Sequence, residues 1–488
     1  MRLILKSTLG ITLSLGVVFF SSCKKKQESS KKEIDSVYAT SSSTELCEKS
    51  WFPHSQTKNP AEGKGSPFDT DSSTNRMFHQ WSWQKFLWLT KPTLVEEAEI
   101  PLFLNHEKIF QVDSHMKPVK DVEGVNVILT DTLQAGPGGV LKTNPKFNSD
   151  NKSETVFYSI HIDPILKKSA EKFKNAIISG ELDENNYKTF PVGALELKVS
   201  WVATSAIPKE ELSNYYVTTA AISRDTINYS KTEVAMLGMH VVGVVENHPE
   251  FIWATFEHDD LAPNYNWKQN KATSKDQKLL FEKGETSGLD AITWDTLKHQ
   301  PNVKDKAYDL FQYGVPRNPD GSYMKTSQGG KKNFDNVNNL NECVKKNLKD
   351  VWRNYFYNGS IWINTDGMSP EEQAKKIVEL GQGIDNGKEG SLARGSLNCA
   401  NVTMETYTQT FQNDLSKIKA NTLVNCFTCH NAVNFDVEDK DNRPSSPLYL
   451  SHIFNGYVER ERGKSAKEVE VLKAKHELEE YMKNTLEN

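Results

Sequence analysis

The sequence predicts an α+β fold, a β-rich antiparallel central body followed by a mostly helical C-terminal region. Three observations predict it. Four apolar runs between Ala194 and Phe256 carry strand patterning and are joined by short polar connections. Two capping boxes, Ser369-x-x-Glu372 and Ser465-x-x-Glu468, open helices in the last third of the chain. The composition, 37% hydrophobic with 22 Phe, 16 Tyr and 10 Trp in 488 residues, supports large buried cores and excludes a disordered or collagen-like chain.

Taken in order, Met1 to Cys23 begins with Arg2 and Lys6 and continues through an apolar stretch from Leu9 to Phe20. That stretch is shorter than the roughly 20 residues a membrane-spanning helix needs. It ends in Ser21 and Ser22 directly before Cys23, which resembles a bacterial lipoprotein signal cut ahead of a lipid-bearing cysteine. Residues 1–22 are therefore expected to be a signal peptide. Residues 23–60, Lys- and Ser-rich at their start, are expected to tether the protein from the lipid on Cys23. The expected location is the cell envelope, lipid-anchored and facing the periplasm.

The β-rich body is expected over residues 61–340. The segment Phe78 to Leu89 is dense in aromatic residues, and Trp81, Phe86 and Trp88 are expected in a core. Asp163 to Leu182 reads as a helix, with Pro164 at its start and Gly180 near its end. In Ala194 to Val202, Leu195, Leu197, Val199 and Trp201 alternate with polar residues, the period of a strand with one buried face. Tyr215 to Ser223, Val234 to Val245 and Phe251 to Phe256 continue the strand pattern, and their short connections favour antiparallel pairing. Gly314 to Asn339, rich in Gly, Asn, Lys and Ser, reads as surface loop. The boundary to the helical region, residues 341–488, falls near Asn341.

Cys426-Phe427-Thr428-Cys429-His430 carries the chemistry. C-x-x-C-H is the covalent haem attachment pattern: two thiols on a tight turn each reach one vinyl group, and the adjacent imidazole is directed at the iron. A structural zinc site would want a second ligand pair, and a redox dithiol a surrounding βαβ pattern. Neither is evident. The cofactor expected is one covalent haem c, with Cys426, Cys429 and His430 binding it and His430 as the proximal iron ligand. For the sixth ligand, His452 and His240 rank ahead of Met482; His476 and Met404 are further candidates, and an open sixth position is the remaining alternative.

Glu257 and His258 form a second candidate group. On a strand they point to opposite faces, unless the strand ends there, as Asp259-Asp260 suggests. Together with His240 they are catalytic candidates that move protons beside a haem, against the plainer reading of a strand-end salt bridge. The other cysteines are Cys47, Cys343 and Cys399, which allow one pair; Cys343–Cys399 is expected first and the pairs with Cys47 next.

Several phrases resemble a known family: Trp81-x-Trp83-Gln84-x-Phe86-Leu87, Leu237 to Val242 followed by Trp253 to His258, and Ala400 to Thr406 ahead of the C-x-x-C-H. Together they are similar to exported bacterial monohaem proteins of the cytochrome c family, lipoproteins of poorly defined reaction. The resemblance implies a cytochrome c-like C-terminal region and haem attachment at Cys426, Cys429 and His430. It says little about a substrate.

Lys+Arg 59 against Asp+Glu 64 leaves a net charge of -5, so no basic balance points to a nucleic-acid partner. The chain has no P-loop, dinucleotide glycine pattern, H-E-x-x-H or G-x-S-x-G. The expected function is electron transfer by a membrane-tethered c-type cytochrome. The alternatives are a haem oxidoreductase acting on peroxide, oxygen or a small organic substrate, with a distal pocket from the β-rich body, and a non-catalytic haem-based sensing or binding lipoprotein. The redox partner or small-molecule substrate is left open.

Overall fold

A nine-stranded sheet organises the molecule. The computed structural model describes residues 46–486, apart from 72, 137–138, 224–226, 267–268, 270, 288–292, 296–299, 303–307, 313–329, 381–392, 397–398, 407–424 and 436–441. The expected signal peptide and Cys23 lie outside the described residues. The sheet strands are β1 (Phe110–Val112), β2 (Val127–Leu129), β3 (Phe157–Ile162), β4 (Leu195–Ala203), β5 (Val217–Ile222), β6 (Ser230–Val245), β7 (His248–His258), β8 (Tyr355–Ile363) and β9 (Ala393–Gly395). Their order is β9-β8-β7-β6-β4-β3-β1, with β5 paired to β6 and β2 paired to β5. Every pairing is antiparallel except the short β2–β5 pair. The fold is α+β, with an antiparallel sheet at its centre.

The 16-residue strand β6 is the spine. One edge pairs with β4; the other pairs with β5 near its start and β7 near its end. All eleven residues of β7 except the half-buried Pro249 are buried, so both of its faces are covered, with five polar residues (His248, Glu250, Thr255, Glu257 and His258) set among the apolar ones.

The helices are α1 (Asn75–Thr90), α2 (Pro164–Ser179), α3 (Gly330–Asn347), α4 (Pro370–Leu380), a single turn α5 (Cys426–Cys429), α6 (His452–Glu461) and α7 (Ala466–Leu486). Asp163 caps α2 by accepting from the Ile165 and Leu166 N–H groups, and Gly180 ends it at a φ of 77° that side chains avoid. Both expected capping boxes form: Ser369 N–H donates to Glu372 Oε2 at 2.7 Å, and Ser465 N–H to Glu468 Oε2 at 2.7 Å. No described helix is long and apolar enough to cross a membrane.

The aromatic segment forms α1 and packs on the sheet. Phe78 stacks on Trp362 at 4.0 Å and Phe86 on Phe256 at 4.1 Å, while Trp81 and Trp83 are buried. Trp88 departs from expectation. It sits half-buried at the margin, with Lys85 Nζ 4.9 Å from its ring.

Two further expectations are corrected. Residues 330–339, expected as loop, belong to α3, because Val337, Leu340 and Val344 form a buried stripe among polar residues that dilute it in the sequence. Strand β8 lies beyond the expected boundary near Asn341 yet pairs with β7, so both sides of that boundary build one sheet.

Cys47 is bonded to Cys343, 296 residues away, with Cα atoms 6.0 Å apart. The Cys343–Cys399 pair does not form; Cys399 is a free, buried thiol. Cross-linking so long a loop restricts the unfolded chain. Cys47→Ser is expected to cost about 2–5 kcal/mol, read as a lower urea midpoint.

Candidate haem site

The turn that presents the two thiols is fixed locally. Asn425 accepts from Phe427 N–H at 2.9 Å, and its own N–H donates to Thr428 Oγ1 at 3.1 Å, a complete capping box on a one-turn helix. His430 N–H closes the turn on the Cys426 carbonyl at 2.8 Å. Phe427 is buried and meets the Trp253 ring edge-on at 6.2 Å. Cys426, Cys429 and His430 line one partly open cavity together with Trp253, His240 and Glu405.

His430 has one nitrogen committed and one available. Nδ1–H donates to the Leu450 carbonyl at 2.9 Å, which leaves Nε2 with its lone pair. A backbone carbonyl on the far nitrogen is the usual device that fixes the tautomer and aim of a metal-binding imidazole. The ring lies between Trp253, 4.4 Å away, and His452, stacked at 4.0 Å. Burial, with His452 and Lys198 nearby, pushes its pKa well below the ordinary value, so the ring is neutral.

Both thiols are free. A hydrogen bond with Cys399 and burial push Cys426 well up, and burial does the same to Cys429. Thiols held neutral are poor partners for disulfide exchange, which needs thiolate. Among the described residues no group of three or more His, Cys, Asp or Glu side chains is placed to hold a metal ion. Two neutral thiols and one aimed imidazole fit the thioether and axial bonds of a haem c.

Only some of the other candidates face the cavity. His452 and His476 both donate Nε2–H to the Cys429 carbonyl, at 3.0 and 3.3 Å. His452 is also stacked on His430, whereas two axial imidazoles stand on opposite sides of one iron, each ~2 Å from it. It is therefore a stacked neighbour of His430 and is not placed across a shared metal from it. Met482 lies on α7, where its side chain falls outside the described residues.

Glu257 and His258 do not line the cavity, and each does structural work. Glu257 accepts from Val402 N–H at 3.1 Å, and burial raises its pKa to about 8. His258 stacks on Tyr215 at 3.7 Å, donates Nε2–H to the Asn214 carbonyl and accepts from Asp260 N–H. Burial lowers its pKa to about 4. The strand alternation holds, since the two point to different partners, but no proton-moving pair forms.

His240, on β6, does line the cavity and pairs with Glu405, whose two oxygens lie 2.9 and 3.1 Å from Nε2. Met404 also reaches the cavity, from within an apolar cluster with Leu237, Leu261 and Leu279. Lys198 on β4 and Lys473 and Glu477 on α7 bring charge to the same space. Lys473 donates to Gln134 Oε1 at 3.1 Å; Lys198 has no ion pair among the described residues. Sequence reasoning missed Glu405, Lys198 and Lys473. Glu405 stood in a phrase noted only for its resemblance, and Lys198 looked like the solvent face of a strand.

No family model matches the chain, and neither a curated protein nor a solved structure matches it.

Proposed function

We propose that this protein is a single-haem c-type cytochrome, exported and tethered to a membrane by lipid on Cys23, that exchanges electrons in the cell envelope. One observation carries the reading: two neutral thiols and an imidazole whose Nδ1 is held by a backbone carbonyl converge on one cavity. Cys426 and Cys429 hold the group covalently and His430 binds its iron through Nε2. Bound there, haem supplies a one-electron ferric–ferrous couple.

The chain's own residues do the rest. Lys198 and Lys473 provide positive charge for the two carboxylates of the group, and Lys198 is available for that contact. The Trp253 ring and the stacked His452 restrict the His430 ring, which keeps ligand movement small when the charge on iron changes. Strands β4, β6 and β7 and helix α7 all contribute walls of the cavity.

Spectroelectrochemistry of the exported protein, matured with a working haem-attachment system, tests the reading. The expected result is a reversible one-electron wave in the visible haem bands. Protein without such bands, or with bands that no mediator reduces, would contradict it.

A further inference from the structure

We propose that His240 and Glu405 are the acid–base pair of this cavity and that the electrons end on a hydroperoxide, reduced at the haem. This deepens the reading above and rests on it.

The geometry separates His240 from a metal ligand. Its Nε2, the nitrogen an imidazole most often gives to a metal, is occupied by both oxygens of Glu405. Nδ1 has no hydrogen-bond partner among the described residues, and the side chain, 12% exposed, lines the cavity. An imidazole with one nitrogen held by a carboxylate and the other open is the arrangement of a general base whose orientation is fixed.

The pair is built rigidly. Glu405 Oε2 accepts from Asn401 N–H at 2.8 Å. Asn401 Nδ2 donates to Thr255 Oγ1 and to the Phe256 carbonyl, both at 3.1 Å, so the loop is pinned to β7. A Cβ at Gly238 would lie 2.8 Å from Asn401 Nδ2, so this close approach of loop to sheet needs a glycine there. Glu257 secures the loop from beneath through Val402 N–H. The titratable groups around the pair are Lys198, which is the Cα partner of His240 on β4, Glu196 on the same strand, Lys473 and Glu477 on α7, and Glu257 behind the loop.

The chemistry follows from where protons must go. The overall change is R–O–O–H plus two electrons and two protons to R–O–H and water. The O–O bond breaks; the electrons arrive singly from a one-electron donor, such as a reduced electron-transfer protein, through the haem. His240 Nδ1 takes the proton from the nearer oxygen and returns it to the departing one, and Glu405 stabilises the imidazolium between the two transfers; both protons of the overall change come from solvent and leave in the water formed. A simple electron carrier needs no such pair.

The test uses the haem-loaded full chain as wild type, His240→Gln and Glu405→Gln. Hydrogen cyanide must lose its proton to bind ferric iron, whereas carbon monoxide binds ferrous iron without proton transfer. The expected result is that wild type binds both. His240→Gln slows cyanide association and the reaction with hydrogen peroxide by about 100-fold or more, Glu405→Gln slows both by less, and carbon monoxide affinity stays within a few-fold in each. Cyanide association unchanged in His240→Gln, or a haem-loaded wild type that binds neither ligand, would overturn this inference alone. A chain that carries no haem would overturn it together with the proposed function.

Discussion

Replacing Cys426 and Cys429 together by Ala is expected to take covalently held haem from a full equivalent per chain to none, measured after extraction with acidified organic solvent. Both cysteines line the cavity from the same turn, and no other described free cysteine lines it. Cys399 is a free thiol beside Cys426, yet it is buried away from the cavity wall, so it does not substitute. The single variants retain one bond each and keep part of the colour. His430→Ala separates attachment from ligation: the thioethers form, while the spectrum changes because the aimed nitrogen is gone. The same substitution leaves the Leu450 carbonyl without its donor, at a cost of about 1–3 kcal/mol.

Acid is expected to unfold the protein over a window set by two buried histidines remote from the cysteines. Burial lowers His161 to about 3 and His258 to about 4. In the unfolded chain both titrate near 6.5. The folded state therefore refuses protons that the unfolded state accepts, and stability is full above about pH 6.5 and lost as pH falls through the folded values. Each group contributes a slope of about 1.4 kcal/mol per pH unit in that window. From pH 6.5 to 4 the two together remove on the order of 6 kcal/mol, comparable with the whole stability of a typical domain.

Glu257 works in the opposite direction. Its folded value, raised by burial to about 8, lies above the unfolded one, so its stabilisation is full below about pH 4.5 and lost as pH rises through 8. Urea midpoints from pH 4 to 9 check both limbs. His258→Gln should flatten the acid side and Glu257→Gln the alkaline side.

The C-x-x-C-H turn was readable because it is local: five consecutive residues hold both thiols, the imidazole and the turn that joins them. The long strands were readable for a related reason, since period-two alternation and continuous apolar runs are written into neighbouring residues. What stayed hidden depends on pairing across the chain. His240 and Glu405 lie 165 residues apart and meet only because the Asn401 loop docks on β7. Cys47 and Cys343 are separated by 296 residues, and nothing near either cysteine announces the other. His452 is close to the motif in sequence, which suggested ligation, but its neighbourhood with His430 is that of two stacked rings. The Gly- and Asn-rich composition ahead of α3 concealed its three-residue buried stripe.

The most direct measurement is the intact mass of the exported, signal-processed chain under denaturing and reducing conditions, after expression with a haem-attachment system. The account predicts a mass greater than that of the lipidated polypeptide by one haem, lost in the Cys426→Ala/Cys429→Ala variant. A mass equal to the polypeptide and its lipid alone, from protein that is folded and colourless, would contradict it.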